Sequence, residues 1–265
     1  LLEQSLNAVL ARYDVLRTVF VHQELKHPVQ VVLQERKTTI QFEDISHLDV
    51  ANQQSYLNSY KEKDKQEGFA IHNDVLLRLT VLKTGEDTYQ LLVSFHHIIM
   101  DGWCFVLVLD ELIRTYHSLL NNTAIQLHAV YPYSDYIEWL EKQDREDALS
   151  YWKNELLGYE QLATLPKWRS QKTRNYVQAN HLFHFDNETT LGLERLAKQH
   201  HTTLNNVFQS LWGILLGRYN GVDDVVFGAV VSGRNADIQG IEQIVGLFIN
   251  TIPVRVQPFA ELTFS

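Results

Sequence analysis

The fold is decided by the stretch YQLLVSFHHIIMDGW at residues 89–103. Its first half, Tyr89 to Phe95, is an almost continuous apolar run of the kind found in central β-strands. A second apolar segment, Val75 to Leu82, precedes it, and Gly85-Glu86-Asp87 between them indicates a hairpin turn. An amphipathic pattern from Trp103 to Leu120 follows and predicts a long helix. The sequence therefore predicts a strand that ends in two histidines and turns directly into a helix.

The histidines His96 and His97 leave this strand as neighbours, with Asp101-Gly102 at the start of the helix. Neighbouring side chains of an extended backbone point to opposite faces, so one ring can face a cavity while the other faces the packed interior. Asp101 can cap the helix N-terminus, and Gly102 permits a tight turn or the close approach of a ligand. The four residues together suggest a site in which the two histidines have different roles.

Plainer interpretations of the same residues remain open. A His-His pair beside a strand can be a hydrogen-bonded core pair, and Asp-Gly can be a simple turn. A metal site formed by His96, His97 and Asp101 is disfavoured because adjacent strand side chains diverge, and no other histidine pair has a spacing that would complete it. Ser232 lacks the flanking glycine of a Gly-x-Ser-x-Gly nucleophile turn. Glycine-rich phosphate loops are absent from the sequence.

The composition of the 265 residues is that of a globular protein, with 45% hydrophobic and 21% charged residues. The net charge of −9, from 23 Lys+Arg and 32 Asp+Glu, argues against nucleic acid as a partner. A single cysteine, Cys104, forms no internal disulfide and fits a cytoplasmic location. No run of about 18 apolar residues is present, so no membrane span is predicted.

The other elements alternate between strands and helices, which predicts an α/β protein with two subdomains. After an opening helix, strands are predicted at 16–22, 28–34, 38–42, 181–185, 224–231 and 247–256, and helices at 53–66, 134–143, 147–157, 189–200, 204–219 and 238–245.

The segment His96 to Gly102 resembles the His-His-x-x-x-Asp-Gly motif of the condensation domains of nonribosomal peptide synthetases. Three further segments are similar to this family in the same order along the chain: Arg12 to Phe20, Tyr133 to Trp139, and Val230 to Arg255. The first of them departs from the family pattern Arg-His-Glu-x-Leu-Arg-Thr-x-Phe at its second and third positions, where this chain has Tyr13 and Asp14. The ordered set covers nearly the whole sequence.

The resemblance implies a fold of two chloramphenicol acetyltransferase-like lobes in a V arrangement. We expect the first lobe at 1–166, a connection at 167–178, and part of the second lobe at 179–265. Family segments that would precede the opening helix and follow Val256 have no counterpart here, so the resemblance implies a fragment whose second lobe is incomplete.

The resemblance also implies an acyltransferase that forms a peptide bond. The expected donor is an upstream aminoacyl or peptidyl thioester, and the acceptor is the amine of a downstream aminoacyl thioester. Phosphopantetheine arms of the upstream and downstream peptidyl carrier domains would bring both, an adenylation domain would be adjacent, and the domain itself would bind no cofactor. The run from Gly246 to Pro253 indicates L-configured donors, and antibiotic biosynthesis is the expected setting.

Residue by residue, the resemblance implies that His97 lies in the tunnel, as a general base or as a hydrogen-bonding group for the tetrahedral intermediate. His96 would face inward and orient the loop. Asp101 is expected to be a structural brace paired with an arginine, with Arg17 as the first choice and Arg234 as the second.

Four other residues are expected at or near the site. Gly102 would leave room for the pantetheine arm, and Arg12 would line the site. Ser232 and Asn250 are expected to line the cavity, and no metal ligand is expected.

Three other functions stay open. Epimerisation domains share the His-His-x-x-x-Asp-Gly segment, and coenzyme A-dependent acyltransferases share the fold. An inactive carrier-docking domain is the non-enzymatic alternative. Heterocyclisation relatives are disfavoured because they carry aspartates where this chain has His96 and His97.

Overall fold

The computed structural model describes residues 1–23, 25–165 and 181–257. These residues form two compact units. The first unit contains residues 1–143 and 232–249, and the second contains 144–165, 181–231 and 250–257. The first unit carries His96 and His97.

The first unit consists of helices packed on short sheets. Its helices are α1 (Leu2–Arg12), α2 (Val50–Glu67), α3 (Gly102–Leu120) and α4 (Ser134–Glu141), with 3-10 turns at Asp14–Arg17 and Ile241–Gln243. Its strands are β1 (Thr18–Val21), β2 (Val29–Val32), β3 (Gln41–Asp44), β4 (Leu77–Lys83) and β5 (Tyr89–Phe95). β1 and β2 form an antiparallel pair, and β3, β4 and β5 form a second sheet in that order.

The core of the first unit lies between α1, α3 and the β4–β5 sheet. Helical spacing places Leu6, Val9 and Leu10 on the buried face of α1, as α3 buries residues at similar spacing. Ile99 and Met100, which follow the histidines, are fully buried in this core. The turn between β5 and α3 is therefore anchored from beneath by two large apolar side chains.

The predicted hairpin is present, with Leu77 opposite Phe95 and Lys83 opposite Tyr89. Its strands differ from the prediction in one respect, since β4 rather than β5 is central among the described strands of the sheet. β4 pairs with β3 in parallel and with β5 in antiparallel orientation. An apolar run shows that a strand packs against something apolar, but it does not show how many neighbours the strand hydrogen-bonds.

The second unit contains α5 (Arg145–Glu155), α6 (Asn187–Gln199), α7 (Leu204–Asn220) and the antiparallel pair β6 (Val225–Val231) and β7 (Asn250–Val256). α7 lies close to β7, since a Cβ added at Gly213 would be 2.6 Å from the Cβ of Val256. Gly221 ends α7 in the left-handed conformation with φ 66°, as the Asn-Gly step predicts.

Three sequence predictions differ from the structure. Residues 181–185 were predicted as a strand but are irregular and exposed, because no described strand lies beside them to share hydrogen bonds. The helix predicted at 238–245 is only the 3-10 turn Ile241–Gln243, and the last strand begins at Asn250 rather than Leu247.

The predicted connection at 167–178 lies outside the described residues. The lobe boundaries 1–166 and 179–265 stay predictions, and the compact units are divided differently. Residues 144–165 belong to the second unit, whereas residues 232–249 belong to the first.

Candidate active site

His97 lies on a short turn directly after β5. The N–H of His96 donates to the carbonyl of Leu76 (3.0 Å), which extends the β4–β5 ladder by one residue, and the N–H of Ile99 then donates back to the carbonyl of His96 (3.2 Å). The side chain of His97 is exposed, with its ring centroid 6.2 Å from that of Phe95. The imidazole of His97 is therefore accessible on a turn with a fixed backbone.

His96 faces different surroundings. Its ring is half-buried, and its Nδ1 accepts a hydrogen bond from the N–H of Ile98 (3.0 Å). The ring of Phe69 forms a T-shaped pair with it, with centroids 6.5 Å apart and planes at 79°. These contacts belong to the interior side of the turn, whereas His97 is on the solvent side.

Asp101 is only 1% exposed and joins three parts of the first unit. Its Oδ1 caps α3 by accepting from the N–H of Cys104 (3.1 Å), and its Oδ2 accepts from the N–H of Phe248 (3.2 Å). Nη2 of Arg234 lies 3.7 Å from Oδ1. Burial raises the pKa of Asp101, but these two hydrogen bonds and the charge of Arg234 outweigh burial and hold the pKa below its ordinary value.

The partner arginine is itself enclosed, since the side chain of Arg234 is 5% exposed. Its Nη1 donates to the carbonyls of Ile241 and Ile244, the latter at 3.1 Å. Its guanidinium carbon lies 3.9 Å from the ring centroid of Phe248. A buried ion pair is tolerated only when its remaining donors form hydrogen bonds. The two carbonyls provide such bonds for Nη1 of Arg234.

The first choice of partner for Asp101, Arg17, was wrong. Arg17 contacts the carboxylate of Asp14, three residues earlier in the same 3-10 turn, and donates to the carbonyl of Leu33. The local partner is available as soon as the turn forms, whereas the pairing of Asp101 with Arg234 depends on packing of residues 232–249 against α3.

Arg12 also has a partner inside the fold. Its guanidinium pairs with the carboxylate of Glu111 on α3, and its Nη2 donates to the carbonyl of His128 (2.7 Å). The hydroxyl of Tyr13 donates to the same carboxylate. Sequence reasoning missed Glu111, although a glutamate on the mostly apolar face that includes Val108 and Leu112 is a signal for a buried partner.

Cys104 and Tyr133, also missed as site residues, hold the segment 241–248 in place, Cys104 from the start of α3 and Tyr133 from the start of α4. The thiol of Cys104 donates to the carbonyl of Gly246 (3.0 Å), and the N–H of Gly246 lies 3.2 Å from the sulfur. Nη2 of Arg234 is 2.8 Å from the same sulfur. Burial raises the pKa of Cys104 to about 11. The hydroxyl of Tyr133 donates to the carbonyl of Leu247 (2.6 Å).

The other expected site residues lie at the surface. Gly102 is exposed, and a Cβ added there would meet no atom within 4 Å among the described residues. Ser232 is exposed in the first unit, where its hydroxyl accepts from the N–H of Arg234 (3.4 Å). Asn250 is exposed at the start of β7 in the second unit.

The part of the chain that the structure describes has neither a metal-ligand cluster nor a helix that could span a membrane. No group of three His, Cys, Asp or Glu side chains there is arranged to hold a metal ion. None of its helices is both long and apolar enough to cross a membrane.

The geometry is that of a histidine on a braced strand-to-helix turn, and the family model of the condensation domain matches residues 1–265. The chain belongs to the condensation-domain family. Among curated proteins, this condensation domain is 47% identical over 265 residues to Gramicidin S synthase 2 of Brevibacillus brevis. It is 42% identical over 264 residues to Surfactin synthase subunit 3 of Bacillus subtilis. All of this chain is covered in both comparisons, but it spans only 6% and 21% of those relatives.

Solved structures show the same fold. The first condensation domain of the calcium-dependent antibiotic synthetase, in complex with a substrate analogue, matches with a TM-score of 0.78 at 18% identity, over 99% of this chain and 61% of that one. The epimerization domain from the third module of tyrocidine synthetase B matches with a TM-score of 0.74 at 20% identity, over 97% and 58%. The predicted α/β fold of the condensation-domain family is confirmed.

Proposed function

We propose that this condensation domain is an acyltransferase that joins an upstream aminoacyl or peptidyl thioester to the amine of a downstream aminoacyl thioester. The observation that carries the proposal is the position of His97. Its ring is exposed, while the turn beneath it is anchored by Ile99, Met100 and Asp101. A reacting group needs both accessibility and a fixed position, and this turn combines them.

The chemistry requires little activation of the donor. The amine nitrogen attacks the thioester carbonyl carbon, the C–S bond breaks, and the sulfur leaves as a thiol with the proton that the nitrogen loses. An imidazole can both accept and donate a proton near neutral pH, which suits the transfer of that proton. His97 either accepts the proton or donates a hydrogen bond to the tetrahedral intermediate, and holding the two tethered reactants together supplies the rest of the acceleration.

The proposed partners are an upstream and a downstream peptidyl carrier domain, with an adenylation domain adjacent. Their phosphopantetheine arms bring the reactants, and the domain binds no cofactor of its own. The names of the relatives support this proposal, since they are synthases of gramicidin S and surfactin that are much longer than this chain. We also propose L-configured donors and a cytoplasmic location, within antibiotic biosynthesis.

Epimerisation is the second candidate because an epimerization domain has the same fold. The two reactions differ in their products. An epimerisation domain inverts the α-carbon of an aminoacyl thioester on one carrier, whereas a condensation domain extends the chain on a second carrier. Analysis of carrier-bound products by mass spectrometry and chiral chromatography separates them.

The test replaces His97 with alanine in the full-length protein and supplies loaded carrier domains as substrates. His97→Ala should lower peptide-bond formation by about a hundredfold or more, as loss of a general acid-base group does. Thermal melting and carrier loading should be unchanged, because the ring is exposed. His47→Ala, at another exposed histidine, is the matched control. Product formation by His97→Ala at the wild-type rate would overturn the assignment.

A further inference from the structure

A second group of side chains in the first unit is centred on Arg78 of β4, and we call it the Arg78 cluster: Asp64, Glu67, Gly68, Phe69 and Arg78. Nε of Arg78 lies 3.0 Å from Oδ1 of Asp64, and Nη1 donates to Oε1 of Glu67 (3.0 Å). Nη2 donates to the carbonyl of Gly68 (2.9 Å). The guanidinium thus binds the last turn of α2 and the residue that ends it, which is more than an isolated surface pair would do.

Arg78 also fixes the aromatic ring that follows. Gly68 ends α2 with φ 60°, in the region that favours glycine, and turns the chain so that Phe69 lies beneath the guanidinium. The guanidinium carbon is 4.7 Å from the ring centroid of Phe69, within cation–π range. That ring in turn forms a T-shaped pair with the ring of His96, with centroids 6.5 Å apart.

The cluster is attached to β5 as well. Arg78 lies opposite Ser94 in the β4–β5 register. The hydroxyl of Ser94 donates to Oδ2 of Asp64 (2.5 Å). The strand is therefore tied to α2 two residues before His96, and Phe69 supports the ring of His96 itself.

We propose that Phe69, held in place by Arg78, is a positioning residue for the turn that carries His97; its effect on catalysis rests on the proposed function. Phe69 restricts the ring of His96, so that Nδ1 remains bonded to the N–H of Ile98. The N–H of Ile99 is bonded to the carbonyl of the same histidine. Without the ring of Phe69, the ring of His96 rotates more freely. The hydrogen bonds of the Ile98 and Ile99 N–H groups then open more often, and His97 loses its fixed position.

The experiment measures two quantities in the full-length protein: amide hydrogen exchange in peptides covering 94–101, and peptide-bond formation between loaded carriers. Phe69→Leu should increase exchange at Ile98 and Ile99 and lower kcat about tenfold, with KM for the carriers unchanged. Phe69→Tyr retains the aromatic ring and should leave both the amide exchange and kcat at their wild-type values. Phe42→Leu is the matched control, because Phe42 is an exposed phenylalanine on β3 of the same sheet. It should change neither quantity.

The outcomes separate this proposal from the proposed function. Unchanged exchange at 96–99 in Phe69→Leu overturns the positioning role, whatever happens to the rate. Raised exchange with an unchanged rate also overturns it, provided that His97→Ala abolishes turnover. If His97→Ala retains turnover, the proposed function fails. The exchange result alone then decides whether Phe69 stabilises the turn at 96–99. Should Phe69→Leu not fold, Arg78→Lys replaces it, with the same expected changes, since lysine lacks the planar group that stacks on Phe69.

Discussion

Asp101 shows at the scale of one residue how a turn motif becomes a brace. Any aspartate before a helix can cap it, and this one does so through the N–H of Cys104. Its second oxygen binds the N–H of Phe248, and Arg234 supplies a compensating charge. The same carboxylate therefore holds the start of α3 and the segment 241–248 together.

Replacing Asp101 tests this function. Asp101→Ala removes the cap and leaves Arg234 buried without its counter-ion, so we expect a loss of about 3–5 kcal/mol in the free energy of unfolding. Peptide-bond formation should fall with it. Asp110→Ala is the control, because the ion pair of Asp110 with Arg114 on the same helix is half exposed. Its loss should lower the free energy of unfolding by less than about 1 kcal/mol. Urea denaturation measures both variants. An Asp101→Ala variant that is as stable as the wild type but inactive would contradict the structural role and indicate that Asp101 takes part in the reaction.

Cys104 should be unreactive in the folded chain. The thiol is fully buried, and its pKa of about 11 keeps it protonated at pH 8. Because the thiolate is the reactive species, the chain of residues 1–265 should react with a thiol reagent slowly when folded and stoichiometrically in denaturant. The sequence contains only this cysteine, so the readout is unambiguous. Reaction of the folded chain at the rate of a free thiol would contradict the buried position.

At the scale of elements, α1 and α3 share more than an apolar surface. The carboxylate of Glu111 accepts from Tyr13 and pairs with Arg12, all within this helix contact. Burial, and then the hydrogen bond and charge of Glu111, raise the pKa of Tyr13 well above its ordinary value. The interface therefore has a fixed polar pairing in addition to its apolar packing.

Removing that carboxylate should weaken the helix contact. Glu111→Ala leaves the hydroxyl of Tyr13 and the guanidinium of Arg12 without their partner, and we expect a loss of about 2 kcal/mol in unfolding free energy. Glu138→Ala is the control, since Glu138 pairs with Lys142 on the exposed surface of α4. Equal stabilities of the two variants in urea denaturation would show that the buried pairing contributes nothing.

Elements with strong local signals were predicted well. The hairpin, α3 and α7 have clear periodicity and turn residues, and each lies within a few residues of its predicted bounds. The strand expected at 181–185 failed because alternating apolar residues form a strand only when a neighbouring strand completes their hydrogen bonds. For the same reason, the apolar run of β5 did not disclose which strand of the sheet is central.

At the scale of the whole molecule, stability should depend on pH in a direction set by lowered carboxyl pKa values. The pKa values of Asp101 and Asp224 are both below the ordinary value, the second because Arg255 donates hydrogen bonds to it. A carboxyl whose pKa is lower in the folded state stabilises the fold above its unfolded pKa of about 3.9. That contribution is lost as the pH falls from there through the folded value.

We therefore expect the free energy of unfolding to be nearly constant from pH 7 to about pH 5 and to fall steeply below about pH 4. Asp101→Asn cannot ionise, so its difference from the wild type should shrink as the pH falls. Urea denaturation at several pH values measures this difference. A difference that stays constant from pH 7 to pH 3 would contradict an ionised Asp101 in the fold.

The amino-acid sequence was sufficient to predict the family, the α/β class, the hairpin that leads into His96-His97, and the position of Asp101 as a helix cap. These depend on local patterns, such as apolar periodicity, turn residues and a short motif, which are readable along one chain. Three pairings became visible only in the folded molecule: Asp101 with Arg234, Arg12 with Glu111, and the ring of Phe69 with that of His96. These partners lie tens to more than a hundred residues apart in the sequence, and an ion pair or ring contact forms wherever packing brings the groups together.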